Sequence, residues 1–234
     1  MLTKFLHGPS FVSGAARGIG KATAFAFAKY GSPQVAIADV DAATLKQTAK
    51  ELKDQYPNVE ILPIEFDAAN ADSTIKAIET TYSKFGRIDH AVNNVGTPGP
   101  LAPSISVSTS DFKNLIDINL TSMWIAQREQ IKIMLKQEPV QQEFGKIRGT
   151  IDANQYASEG IRINAICPGY TFTTIDIGNE GPELQYILDQ AMHRTAMKRF
   201  AQPEEIANGI TYLSSWMSSY MSGEAMLVDG GFSS

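Results

Sequence analysis

The stretch Ser10-Phe11-Val12-Ser13-Gly14-Ala15-Ala16-Arg17-Gly18-Ile19-Gly20 starts as a short strand candidate and runs into three glycines, spaced Gly14-x-x-x-Gly18-x-Gly20. From Gly18 to Tyr30 the sequence reads as a helix, closed by Gly31. A strand, a glycine turn and a helix start, in that order, present free amides and the positive end of a helix dipole to an anion. Small residues at the turn let a pyrophosphate approach the backbone. Asp39 ends the next apolar run, nineteen residues after Gly20. A carboxylate there accepts both hydroxyls of a ribose and repels a 2′-phosphate. Together these features predict a dinucleotide site built on Ser13, Gly14, Arg17, Gly18, Ile19, Gly20 and Asp39, with NAD favoured over NADP. Arg17 is the feature that speaks for NADP, because a guanidinium near that ribose can hold a phosphate.

Outward from this turn, short apolar runs alternate with longer amphipathic stretches. Residues 34–38, 60–66, 88–93, 161–166 and 225–228 read as strands. Residues 42–55, about 72–85 and 203–215 read as helices, as does a long stretch opened by Ser110 or Asp111 and running to about 137. Asp72 is the expected cap of the 72–85 helix and Gly86 its stop signal. Strand and helix in alternation predict an α/β fold, a Rossmann-type doubly wound parallel sheet in a single domain over 1–234.

Composition fits that reading. The 234 residues are 43% hydrophobic and 19% charged with a net charge of -5, which speaks against a nucleic-acid partner. No apolar run of about 18 residues predicts a membrane span. Cys167 is the one cysteine; it cannot pair internally or hold zinc by itself, and no metal site is expected. The N-terminal stretch is too short in apolar run for a secretory signal, so a cytoplasmic location is expected.

Several further segments resemble one family, the short-chain dehydrogenases/reductases. The glycine spacing is that family's form, with Ser13 where threonine is commoner. Asp67 resembles the family's adenine-contacting aspartate, and Asn93-Asn94-Val95-Gly96 resembles its Asn-Asn-Ala-Gly segment. Asn119 matches the asparagine of its catalytic tetrad. The run from Ile161 to Gly169 resembles the sixth strand and its Pro168-Gly169 turn, and Thr171 and Thr173 stand where the family touches the nicotinamide amide. Pro203-Glu204-Glu205-Ile206-Ala207 and Val228-Asp229-Gly230-Gly231 match its C-terminal signatures. The resemblance, from about Gly8 to Phe232, implies a seven-stranded parallel sheet, hydride transfer at a small-molecule carbonyl or alcohol, and a homodimer or homotetramer. Such chains often sit in fungal secondary metabolism, which is the setting the resemblance suggests.

One part of the family's chemistry is missing. It needs a serine at the end of the fifth strand, and a tyrosine with a lysine four residues on, both on one helix face. None of the eight tyrosines is followed by lysine at that spacing. Gly149-Thr150-Ile151 reads as the start of the fifth strand, and residues 152–160 as the end of the helix after it. As helix, those nine residues climb about 13 Å, whereas a strand of ordinary length runs about 17 to 20 Å. A parallel crossover needs about a dozen residues. The fifth strand is therefore expected to be shortened, displaced or lost, with an irregular connection to Ile161. Residues 132–149 are expected to be a helix end and a polar, mobile loop. Three readings stay open: a reductase, a non-catalytic dinucleotide-binding or partner-binding protein, and a shortened product of an active reductase gene.

Overall fold

The computed structural model describes residues 4–100, 102–151, 156–173 and 182–233. The N-terminal half alternates β1 (Ser10–Ser13), α1 (Gly18–Tyr30), β2 (Gln34–Asp39), α2 (Ala42–Gln55), β3 (Glu60–Glu65), α3 (Ala71–Phe85) and β4 (His90–Val92). Then come α4 (Thr109–Ile116), α5 (Ser122–Met134), β5 (Val140–Gln142), β6 (Gly145–Ile147) and β7 (Gly149–Ile151). The chain closes with β8 (Ile161–Ile163), β9 (Ala165–Pro168), α6 (Pro182–Arg194), α7 (Pro203–Ser214) and β10 (Ala225–Val228).

Six strands pair in parallel in the order β3-β2-β1-β4-β7-β8. Every residue of β1 is buried, as are four of the six in β2. This is the mark of a parallel sheet covered on both faces. Successive side chains point to opposite faces. Phe11, Ala36 and Ala38 meet Ile78 of α3 and Met134 of α5 on one face. Val12, Val35 and Ile37 meet Phe27 of α1, Leu45 and Leu52 of α2 and Ile206 of α7 on the other.

Several expectations need correction. Asn70, not Asp72, caps α3 by accepting the Ser73 N–H at 3.1 Å. Ser108, rather than Ser110 or Asp111, caps α4, accepting the Asp111 N–H at 3.1 Å. The long helix is interrupted by a π-helical turn, Asp117–Thr121, between α4 and α5. The strand expected over 161–166 divides at Asn164, whose side chain donates to the Met221 carbonyl and accepts from the Glu224 N–H. Those bonds bring in the segment leading to β10. β9 and β10 then pair separately as a two-stranded parallel sheet, in place of a seventh strand in one continuous sheet.

The polar stretch after α5 is not a loop. It folds back as an antiparallel hairpin of β5 and β6. Buried Gln137 anchors its base: its side chain accepts from the Ile88 N–H and donates to the Ile88 and Arg148 carbonyls. Arg148 returns a bond to the Gln137 carbonyl at 2.8 Å.

β7 has three residues, with Gly149 opposite Ile161 and Ile151 opposite Ile163. A strand of that length spans about 10 Å, so the return path it requires is short. A single 3-10 turn, Ala157–Glu159, leads through Gly160 (φ 78°) into β8. The expectation of irregular chain over 152–155 falls outside the described residues.

Candidate functional site

A cleft of about 530 Å³ opens beyond the carboxyl ends of the central strands. The strand order reverses there, with β2 and β3 lying to one side of β1 and β4 to the other. Crevices at such switch points are where open α/β sheets bind ligands. Gly14, Arg17, Gly18, Ile19 and Asp39 form part of its wall. Asp67, Asn94, Gly96, Pro168 and Thr173 complete the predicted set that lines it. The turn's geometry explains its glycines. Gly14 has φ 64°, and a Cβ on Gly20 would stand 2.1 Å from the Gly14 carbonyl oxygen. Arg17, at the N-cap of α1, is extended and makes no side-chain bond to the amides behind it. A pyrophosphate fits such amides.

Asp39 is held on both oxygens. Oδ2 accepts the Ala16 N–H at 2.9 Å and Oδ1 the Asp41 N–H at 3.1 Å. A carboxylate oxygen has a second lone pair, so each can still accept a hydroxyl. Arg17 Nη2 donates to Asp41 Oδ2 at 2.6 Å. The Asp41 carboxyl is held below its ordinary range, chiefly by the Thr44 backbone N–H and next by the Thr44 hydroxyl. Asp67 Oδ1 accepts the Ala69 N–H at 2.9 Å.

The remaining predicted residues lie behind or beside this wall. Buried Ser13 joins strand ends, donating to the Val92 carbonyl and accepting from the Asn94 N–H at 3.0 Å. Asn94 Nδ2 donates to the Ser13 and Gly14 carbonyls. Thr171 donates its hydroxyl to the Gly169 carbonyl at 3.0 Å. The Gly169 N–H donates to the Val228 carbonyl. Asn119 sits in the π-helical turn with both amide atoms on Thr97: Oδ1 accepts the N–H and Nδ2 donates to the carbonyl, each at 2.8 Å.

Sequence reasoning missed Val40 and Phe66, which line the cleft beside the two aspartates, and Thr97 and Pro98 after the Asn-Asn segment. Their positions next to predicted residues were the available signal. It also missed Asp41 as the partner of Arg17. The signal there was the capping pattern Asp41-x-x-Thr44.

Among the described residues lining the cleft, the ionisable ones are Arg17, Asp39 and Asp67. The wall of Thr97, Pro98, Ile118, Pro168 and Thr173 carries no acid or base. Tyr156 packs against the core, and Tyr170 lies between the rings of Phe200 and Phe232. Among the described residues no three His, Cys, Asp or Glu gather as a metal site. None of their helices is long and apolar enough to cross a membrane.

Two family models match the chain: that of the short chain dehydrogenases over residues 10–147, and that described as enoyl-(acyl carrier protein) reductase over residues 151–233. The chain is 32% identical to the short-chain dehydrogenase fogB of Aspergillus ruber, with 97% of each covered. That alignment runs over 266 residues, so the relative carries positions with no counterpart among these 234. The chain is also 32% identical to a 3-oxoacyl-[acyl-carrier-protein] reductase of Synechocystis, with 95% of each covered. The crystal structure of gox2181 superposes with a TM-score of 0.84 at 26% identity, covering 99% of this chain and 97% of that one.

Proposed function

The chain belongs to the short-chain dehydrogenase family, and from that premise we propose that its cleft binds NAD(H) for hydride exchange with a carbonyl or alcohol of a small molecule. One observation carries the reading: ten residues picked out along the sequence, from Gly14 to Thr173, line a single cleft. Amides at the start of α1 take the pyrophosphate. Asp39 takes the ribose hydroxyls and Asp67 the adenine edge. Thr171 and Thr173 stand ready for the nicotinamide amide. A bound nicotinamide supplies or accepts the hydride. This chain's own residues bind and orient it, and Asn119 acts through Thr97, the backbone to which its amide is tied. Asp39 and the engagement of Arg17 by Asp41 support NAD over NADP.

A second reading, binding without turnover, is favoured by two observations. The Tyr-x-x-x-Lys pair is missing from the sequence, and among the described residues the Thr97–Thr173 side of the cleft holds no general acid. Loss of a general acid typically costs about 10² to 10⁴-fold in rate. A shortened gene product accounts for the gap. The two family matches meet at 148–150, beside the three-residue β7.

The enzyme reading extends to the cytosol and to a homodimer or homotetramer. Phe112 and Trp124 on α4 and α5, with Leu120 in the turn between them, expose apolar side chains that suit a second copy. The setting that the family resemblance suggests, secondary metabolism, is part of the same reading.

Fluorescence titration with NADH tests the coenzyme, and a panel of alcohols and ketones tests turnover. Saturable binding with turnover above background supports the enzyme. Saturable binding with no turnover on any panel member supports the binding protein. No binding of either nucleotide form by folded protein overturns both.

A further inference from the structure

The ion pair of Arg17 and Asp41 stands at the ribose end of the cleft, next to Asp39, and its two partners are unequally anchored. Asp41 is fixed by three contacts besides Arg17. Its Oδ1 accepts the Thr44 N–H at 3.0 Å, its Oδ2 accepts the Thr44 hydroxyl at 2.7 Å, and its own N–H donates to Asp39 Oδ1 at 3.1 Å. Arg17 lines the cleft on a side chain that is 46% exposed, and its Nη2 reaches the same Asp41 Oδ2 at 2.6 Å. The carboxylate is therefore the fixed member and the guanidinium the movable one, drawn to the α2 cap.

We propose that Asp41 is a positioning residue that decides coenzyme choice: by holding Arg17 it turns the cleft away from dinucleotides that carry a 2′-phosphate. The proposal rests on the dinucleotide reading above. With Asp41 ionised, this end of the cleft sets two carboxylates, Asp39 and Asp41, against one guanidinium. An incoming 2′-phosphate meets net negative charge, and the guanidinium that would grip it is already drawn to Asp41 through Nη2. Without the charge at 41, carboxylate and guanidinium balance. Arg17 is then free to offer a phosphate two parallel N–H bonds. The charge-assisted hydrogen bond that a freed guanidinium gives a phosphate corresponds to roughly tenfold or more in affinity.

The test compares wild type, Asp41→Asn, Asp41→Ser and the double variant Arg17→Ala/Asp41→Asn in the full chain, with dissociation constants for NADPH and NADH measured by fluorescence titration. Asparagine and serine serve as helix caps about as well as aspartate, so α2 keeps its start. Thermal unfolding of each variant checks this. The expected result is wild-type preference for NADH and a roughly tenfold fall in the NADPH-to-NADH ratio of dissociation constants in both single variants. That shift disappears when Arg17 is also removed. A merely structural role for Asp41 would weaken both nucleotides together and leave the ratio unmoved, and that outcome overturns the proposal. So does a shift that survives removal of Arg17, or a wild-type preference for NADPH. Wild-type protein that binds neither nucleotide defeats the dinucleotide reading itself, which separates that failure from this one.

Discussion

Asn119 and Thr97 close a two-bond ring, side-chain amide to backbone amide, across 22 positions of sequence. The ring joins the π-helical turn between α4 and α5 to the cleft-lining segment that follows β4. A π-helical turn displaces the backbone from the α-helical ladder, and such turns recur at functional sites.

Replacing Asn119 with alanine removes both bonds and leaves Thr97 free to move. Each bond is solvent-accessible, so the expected loss of stability is about 1 kcal/mol in all. The larger effect is a several-fold weaker NADH complex. Denaturant titration and NADH titration read the two, and a variant with wild-type values in both would show that the ring does nothing for the cleft.

Asp39→Ala removes the proposed ribose acceptor and also strips the Ala16 and Asp41 N–H groups of their partner. NADH affinity is expected to fall by tenfold or more, on the scale of about 1.5 to 3 kcal/mol for hydrogen bonds to a charged group. Calorimetry reads this directly. Undiminished binding would remove the carboxylate from the site.

Gly20→Ala forces a methyl fixed to the helix backbone to 2.1 Å from the Gly14 carbonyl oxygen, where neither side can yield without moving the turn. The expected cost exceeds about 3 kcal/mol, with loss of nucleotide binding. Gly86→Ala is the control. Its φ of 76° carries strain, but nothing lies within 4 Å of the added carbon, and about 1 kcal/mol is expected. Equal melting temperatures for the two variants would contradict the packing argument.

His90 is buried between β1 and β7, with Nε2 on the His7 carbonyl and Nδ1 on the Thr150 hydroxyl. Burial is the chief cause that lowers its pKa from 6.5 to about 4. Between those two values the unfolded chain binds a proton that the folded chain refuses. Stability is therefore complete above pH 6.5 and falls as pH drops toward 4, by up to about 3 kcal/mol. Urea midpoints at pH 7.5 and pH 4.5 for wild type and His90→Gln isolate this contribution from the carboxylates. The variant should lose less than wild type across the window, and parallel losses would count against it.

The hairpin of β5 and β6 shows where sequence reading ran short. Its residues, Val140-Gln141-Gln142 and Gly145-Lys146-Ile147, have no apolar alternation to mark strands. It is held by Gln137 and Arg148 reaching the backbone of the chain just before β4 and of the chain before β8. Asn164 divides its strand for a similar reason, because its partners lie at 221 and 224. Asp72 was a plausible cap, but Asn70 stands at the position that precedes the first helical residue.

The sequence by itself determined the parallel α/β sheet, the glycine turn, the aspartates at or just past the ends of β2 and β3 and the brevity of β7. Each is written in near neighbours: the two-residue period of a buried strand, the glycines of a turn, the number of residues available for a crossover. Only the tertiary structure decided that Asn119 serves Thr97, that Asp41 holds Arg17, and that the last two strands pair apart from the main sheet. Those outcomes join groups 20 to 60 residues apart. Which of them meet is fixed by how helices and crossovers pack, something that no local pattern of residue types encodes.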